Sequence, residues 1–298
     1  MDVVVYGMSG LGNQLFQYAA GLYYATRYKA ALRVLTNPVA EFSFGSPRPF
    51  QLDEFRVSAP VREATWFERI LTTNNPKHKR VAEALGVLIN ARRFREPTQA
   101  RFHPDLPYRR LPATVYLRDY WQAAGYAEAV EERLREDLEL RSQPQTKDHE
   151  VLNAIASSRC AISVHVRCGD YLKAKDPMVL PYSYYQQAWN AMLEQFKDAD
   201  FFIFCDDIEF ARANLPQTGK RTFVSHNNEL TAYQDLRIMA SCQHHIIANS
   251  SFSWWGAWLN PNASKVVIAP KYWRGTPDSY FPDLFPPRWR PLDNLAAN

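Results

Sequence analysis

No stretch of this chain approaches the ~20 consecutive apolar residues that a membrane span needs. Its first residues, Met1-Asp2-Val3-Val4-Val5-Tyr6, lack a basic cluster and hold only a short apolar run. They read as a β-strand, not a secretory leader. Cysteine is scarce: Cys160, Cys168, Cys205 and Cys242 all lie in the second half, with no CxxC pair. That argues against a disulfide or metal framework and for reduced thiols in a cytoplasmic protein. Internal repeats and low-complexity runs are missing too. The charge surplus is only +4. It disfavours a dedicated nucleic-acid binder and permits an anionic ligand or a membrane surface.

What is present suffices for a folded enzyme. A length of 298 residues suggests two domains or one large one. At 46% apolar the chain can build a core without disulfides or a structural metal. Its 8 Trp and 16 Tyr hint at stacking surfaces beside the core.

The pattern predicts a strand at 2–6, a glycine-rich turn at 7–12 and a helix from Gln14 through Leu22. A second strand follows at 32–35, then a loop rich in Pro and Phe over 37–60. Residues 77–110 hold nine Lys/Arg against three acids, either a solvated face or a surface for an anionic or membrane-borne partner. Residues 126–140 read as one amphipathic helix. Polar residues 141–150, with Pro144, form the best linker, so the expected domains are 1–150 and 151–298. The second half then alternates strands (160–167, 201–205, 221–225, 245–248, 265–269) with helices near 183–197, 229–242 and 253–259. Alternation of this kind implies parallel sheets with right-handed crossovers. The fold class is α/β: two Rossmann-type parallel-sheet domains facing across a cleft, with ligands expected at the carboxyl ends of the strands.

Four strand ends carry chemistry. On the first, period two puts Ser163, His165 and Arg167 on one face. An arginine there can hold a phosphate bidentately, with Asp170 to steer it. The bland alternative is a buried histidine beside an ion pair. The second, Phe201-Phe202-Ile203-Phe204-Cys205, emerges into Asp206-Asp207. These acids suit sugar hydroxyls or Mg²⁺, or one of them caps a helix. On the third element, a helix, Asp235 shares the face of Ile238, Met239 and Cys242 and needs a partner, either a guanine edge or an internal arginine. In the fourth, Asn249-Ser250-Ser251-Phe252, hydroxyls meet a helix N-terminus, a phosphate-binding geometry. Trp254, Trp255 and Trp258 beyond it either stack on sugar or pack. The loop with Gly7, Gly10 and Gly12 lets backbone amides approach a phosphate. It is not the usual dinucleotide fingerprint. The spacing differs, and Thr36-Asn37 stands where a ribose-binding acid is expected.

Three segments together resemble the bacterial α-1,2-fucosyltransferases: Gly10-Leu11-Gly12-Asn13-Gln14-Leu15-Phe16-Gln17-Tyr18-Ala19, His165-Val166-Arg167-x-Gly169-Asp170-Tyr171, and Ile247 through Asn260. Asp119-Tyr120-Trp121-Gln122, Tyr233-Gln234-Asp235-Leu236 and Val267-Ile268-Ala269-Pro270 fit the same family, in order along nearly the whole chain. The resemblance implies a GT-B-like fold. It also implies inverting, metal-independent transfer of L-fucose from GDP-fucose to the 2-hydroxyl of a terminal galactoside, with no cofactor. By this resemblance Arg167 holds the β-phosphate, His165 and Asp235 contact guanine, and Ser250 and Ser251 contact the pyrophosphate. Gly10, Gly12 and Asn13 reach toward the phosphates and fucose, and Asp206 and Asp207 lie near the donor. Gln14, Asn249 and Phe252, within the same motifs, join the donor-binding set. One departure stands out: Cys168 replaces the second arginine of His-x-Arg-Arg-Gly-Asp. On period two it faces away from Arg167.

Neutralising the leaving GDP falls to Arg167 and backbone amides. Asp119, Asp170 and Asp206 are candidates for the base that takes the acceptor proton. The implied partners are a GDP-sugar and a galactoside-terminated glycan, with work at the cytoplasmic face of the membrane and peripheral contact through 77–110. Rival readings are another GDP-deoxyhexose as donor, a nucleotide-dependent oxidoreductase built on the glycine loop, and a non-catalytic glycan-binding module using the tryptophans.

Overall fold

In the computed structural model, which describes residues 1–36, 41–43, 46–72, 76–172 and 178–295, the β-branched run near the start forms β1 (Asp2–Tyr6). Val3, Val4 and Val5 are all buried, so both faces of the strand are covered, as in a parallel sheet between helical layers. The chain divides into two compact units. Unit 1 comprises residues 1–43, 47–141 and 282–286; unit 2 comprises 44–46, 142–281 and 287–298.

In unit 1, α1 (Leu11–Arg27) follows β1 and leads to β2 (Ala31–Thr36). Two short strands, β3 (Glu41–Ser43) and β4 (Ser46–Arg48), pair with each other inside the stretch expected to be loop. Then come β5 (Val61–Glu63), α2 (Trp66–Leu71), α3 (Pro76–Leu88), β6 (Ala91–Phe94), β7 (Thr114–Leu117), α4 (Ala124–Glu128) and α5 (Glu131–Asp137). The sheet order is β5-β2-β1-β7-β6, parallel throughout. Helix α1 starts at Leu11, three residues before the expected Gln14, because the Gly10 carbonyl already accepts from the Asn13 and Gln14 amides. It lies close on the sheet at Gly21, where a Cβ would stand 2.7 Å from Val5 Cγ1 and 2.9 Å from Leu32 Cδ1. The single helix expected over 126–140 is two. Val130 leaves helical geometry (φ −128°, ψ 27°) and is buried, and Asp137 ends α5, where it accepts from the buried Tyr18 hydroxyl at 2.5 Å.

In unit 2, α6 (Thr146–Ser157) begins inside the expected linker. Its capping box runs from Gln145 to Asp148, and Asp148 is fully buried. There follow β8 (Cys160–Val166), α7 (Gly169–Leu172), α8 (Tyr182–Gln195), β9 (Ala199–Cys205), α9 (Ile208–Ala213), β10 (Lys220–Val224), α10 (Ala232–Ser241), β11 (His244–Ile246), α11 (Ser251–Leu259), β12 (Val267–Pro270) and β13 (Arg290–Leu292). The order β10-β9-β8-β11-β12-β13 is parallel throughout. Strand β8 is buried along its whole length, and Trp189 of α8 stacks on Phe201 of β9 with ring centroids 3.6 Å apart. The tryptophans of α11 belong to the core. Trp254, Trp255 and Trp258 are buried against one another, and Trp254 against Trp289, so they offer no sugar-stacking platform. Among the described residues no helix is long and apolar enough to cross a membrane.

Gly21→Ala separates packing from propensity. Helix propensity alone would stabilise by about 1 kcal/mol. The contact with Val5 predicts a loss of about 1–3 kcal/mol in urea unfolding instead.

Candidate active site

Strand order fixes where a ligand belongs in each sheet. In unit 2 the chain moves from β8 outward to β9 and β10, then returns to β11 on the other side of β8. The gap beyond the carboxyl ends of β8 and β11 is therefore a topological switch point. In unit 1 the same reversal falls between β1, which is followed by β2, and β7.

At the unit 2 switch point β8 delivers Arg167, and β9 delivers Asp206 beside it. Arg167 Nη1 lies 3.1 Å from Asp206 Oδ2, with both side chains partly exposed. Asp206 Oδ1 also accepts from the Cys168 amide at 3.1 Å and the Cys168 thiol at 3.0 Å, and the Gly169 amide bonds the same carboxylate. Burial would raise the carboxyl's pKa, but Arg167 and these donors outweigh it and hold Asp206 below the usual range. A Cβ on Gly169 would stand 2.8 Å from Asp206 Oδ2, so only glycine lets the turn close on the carboxylate. Arg167 also lies over the Tyr171 ring at 5.5 Å, and the Tyr171 hydroxyl donates to the Asn249 carbonyl at 3.1 Å. Cys168 lies where period two expects it: it is buried in one core cluster with Ile162, Val164 and Val166, and its thiol also reaches Asp206. Burial, then the Asp206 bond, raises its pKa far above the ordinary thiol value, which keeps it a donor.

His165 is buried, its ring 5.8 Å from that of Phe252. Burial first, then the charge of Arg167, lowers its pKa to about 3, so the imidazole is neutral. Among the described residues its Nδ1 has no hydrogen-bond partner. A buried ring nitrogen left open is a position for a ligand's polar edge. Ser163, on the same face, bonds His245 Nδ1 at 2.7 Å, and His245 Nε2 meets Asn260, an internal network.

At the end of β11, the Asn249 amide donates to the Met178 and Trp273 carbonyls at 2.8 and 3.1 Å, while its Oδ1 is buried without a partner among the described residues. Ser250 occupies the N-cap of α11, yet its side chain makes no capping bond. Among the described residues the Ser250 side chain thus leaves the first amides of α11, from Ser251 onward, uncapped, a position that suits an anion.

The protein partner of Asp235 of α10 is not the internal arginine of the bland alternative. Asp235 accepts from Asn227 Nδ2 at 2.8 Å. That same amide reaches Asp148 Oδ1 at 3.1 Å, where His226 Nε2 also lies at 2.7 Å. Burial lifts the Asp235 pKa to about 6. The sequence reading missed Asp148, His226 and Asn227. The Gln145-x-x-Asp148 spacing of a capping box was the available signal. Asp207 caps α9 through the Phe210 amide at 2.9 Å, the bland alternative for that acid.

In unit 1, Gly10 precedes α1 and Gly12 lies in its first turn. Asn13 Oδ1 accepts from Gln122 Nε2 at 2.7 Å and its amide donates to Ser9 Oγ, which ties the β1 loop to the β7 loop. Gln14 corrects the donor-binding set. It is buried, its amide donates to the Ser9 and Pro49 carbonyls, and its Oε1 accepts from the Gln51 amide, so it staples the loop. Asp119 is gripped by the Arg95 guanidinium at 3.1 and 3.0 Å and by the Glu96 amide. Glu96, which the sequence reading missed, accepts from the Ala100 and Trp121 amides and supports Trp121 at φ 56°. Burial raises its pKa to about 7 despite those bonds. Asp170 lies in α7, and its side chain is outside the described residues.

Residues 102–290 match the family model described as glycosyl transferase family 11. The chain is 26% identical to an α-1,2-colitosyltransferase of Escherichia coli, over 97% of its own length and 98% of the relative's. It is 27% identical to the O-antigen biosynthesis glycosyltransferase WbnK of Escherichia coli, over 89% and 92%. A partial match, 25% identical over 53% of this chain and 45% of the relative, is to human galactoside α-(1,2)-fucosyltransferase 1. Among solved structures, NodZ α-1,6-fucosyltransferase soaked with GDP-fucose superposes with a TM-score of 0.51 at 17% identity, covering 87% of this chain and 93% of that one. The two parallel-sheet units are those of the GT-B fold.

The Asp206 contacts set a pH signature. Asp206→Asn should lower unfolding free energy by about 1–3 kcal/mol at neutral pH. Because the folded pKa is depressed, that difference is fully present above the unfolded value near ~4 and vanishes as pH falls through the folded one. Parallel urea titrations of both proteins from neutral to acid pH check this.

Proposed function

The chain belongs to glycosyl transferase family 11, and from that premise we propose that it transfers L-fucose from GDP-fucose, with inversion, to the 2-hydroxyl of a terminal galactoside. The observation that carries the reading is the Arg167 guanidinium fixed by Asp206 at the switch point of unit 2. Arg167 takes the β-phosphate, and the first amides of α11 with Ser250 and Ser251 take the remaining pyrophosphate charge. Neutral His165 and Asp235 meet the guanine edge, with Phe252 against the nucleoside and Asn249 supporting the turn. Gly10, Gly12 and Asn13 serve the sugar side of the donor.

Charge that develops on GDP as the glycosidic bond breaks meets donors already in place. The fucosyl group, oxocarbenium-like, is attacked by the acceptor oxygen from the opposite face. No metal step is needed in this scheme. Asp206 is engaged by Arg167, Cys168 and Gly169, and Asp207 by the α9 cap. Asp206 is therefore not proposed as the base. Asp119 and Asp170 keep that role open, joined by Glu96, whose pKa near 7 suits proton transfer. The acceptor is proposed to be a galactoside-terminated surface glycan, in keeping with the relative named for O-antigen biosynthesis, handled on the cytoplasmic side of the membrane.

A second reading changes only the sugar. A relative spanning nearly the whole chain is named a colitosyltransferase. Contacts to guanine and pyrophosphate do not discriminate one deoxyhexose from another.

GDP release from GDP-fucose and from GDP-colitose, with and without lactose and in excess EDTA, tests the proposal. Lactose-dependent release from GDP-fucose with an α-1,2 product is expected; preference for GDP-colitose selects the second reading. Arg167→Ala should lose more than ~3 kcal/mol of transition-state stabilisation, read as kcat/KM. GDP-fucose, a pyrophosphate esterified at both ends, has no group of its own titrating near neutrality. Its affinity should fall below pH 6 as Asp235 protonates, and that step should be missing in Asp235→Asn.

A further inference from the structure

We propose that helices α2 and α3 of unit 1 form a docking surface for an anionic lipid bilayer. Their inner residues are accounted for. Phe67, Leu71 and Leu85 pack with Val4, Tyr6 and Tyr116 on the sheet, and Ala82 is buried. Helix α3 lies so close that a Cβ on Gly86 would stand 2.9 Å from the Ala91 carbonyl. The outer residues are the anomaly. Leu88 is 80% exposed, Trp66 73%, Val87 61% and Val81 53%. Arg80, Val81, Ala84, Val87 and Leu88 fall at offsets of zero, one, four, seven and eight, a single helix face turned to solvent. Trp66 opens α2, the helix packed against α3.

A cluster of large exposed apolar residues marks an interaction surface. Charge selects the occupant. From 62 to 95 the chain has eight Lys/Arg against three acids; with Arg62 paired to Glu68 and Arg95 to Asp119, six Lys/Arg and two acids remain. Lys77, Lys79 and Arg80 fall in the first turns of α3. An exposed helix face that carries Val81, Val87 and Leu88 with Arg80, on a helix packed against the one that begins with exposed Trp66, suits the headgroup boundary of an anionic bilayer. This surface would hold unit 1 at the membrane without any spanning segment.

Flotation with vesicles of phosphatidylglycerol and phosphatidylcholine, against phosphatidylcholine alone, tests the proposal without reference to catalysis. Wild type should float with the anionic vesicles at low salt. The variant Trp66→Ser/Val87→Ser/Leu88→Ser, altered only at exposed positions, should bind them at least about tenfold more weakly. Its transfer from GDP-fucose to free lactose, on the function proposed above, should be unchanged. No flotation of wild type, or equal flotation of the variant, overturns the proposal. So does a wild-type dimer that the variant dissolves, which would assign the face to a second copy of the chain.

Discussion

The hold of Asp206 on Arg167 organises the candidate site. A half-buried guanidinium at a strand end is costly unless a carboxylate meets it, and Asp206 arrives from the neighbouring strand β9 to do so. The carboxylate is itself fixed by the Cys168 amide and thiol and by the Gly169 amide. Arginine, cysteine, glycine and aspartate thus form one unit. Its product is a cation aimed before any ligand arrives, which is how a site stabilises departing phosphate charge without reorganising. Residue 168 is part of that hold even though it replaces an arginine of the family pattern.

Around this unit the sheet order does the positioning. Parallel strands put every β-to-α turn of unit 2 on one edge, and the reversal between β8 and β11 leaves a gap there. His165 and Arg167 come from one side of the gap, Asn249 and Ser250 from the other. Tyr171 links the two by stacking under Arg167 and bonding the Asn249 carbonyl. Unit 1 repeats the logic with the β1 loop tied to the β7 loop through Asn13 and Gln122. Burial tunes the titrating groups in opposite directions: it keeps His165 neutral and lifts Asp235 and Glu96.

Much of unit 2 was legible in the sequence because its strands are long and apolar. Strands β8 and β9 were found within two residues, and period two placed His165 and Arg167 together. The same rule put Cys168 with Val164 and Val166, in whose core cluster it is buried. Unit 1 was less legible. Strands β5, β6 and β7 are three or four residues long, too short for periodicity to register. Gln14 looked like a ligand group because its fate depends on carbonyls of Ser9 and Pro49, the latter 35 positions away. Asp148 sat in a polar stretch that reads as linker, and only its burial beneath His226 and Asn227 gives it a place. Local pattern found the strand ends; long-range hydrogen bonds decided which polar residues remain free.

The central claim is that Arg167 binds the β-phosphate of a guanine nucleotide. Titration calorimetry of GDP and GMP against wild type and Arg167→Ala tests it most directly. The account predicts that wild type binds GDP more tightly than GMP by at least about tenfold, ~1.4 kcal/mol, and that the variant binds the two alike. The same preference for GDP in both proteins would contradict it.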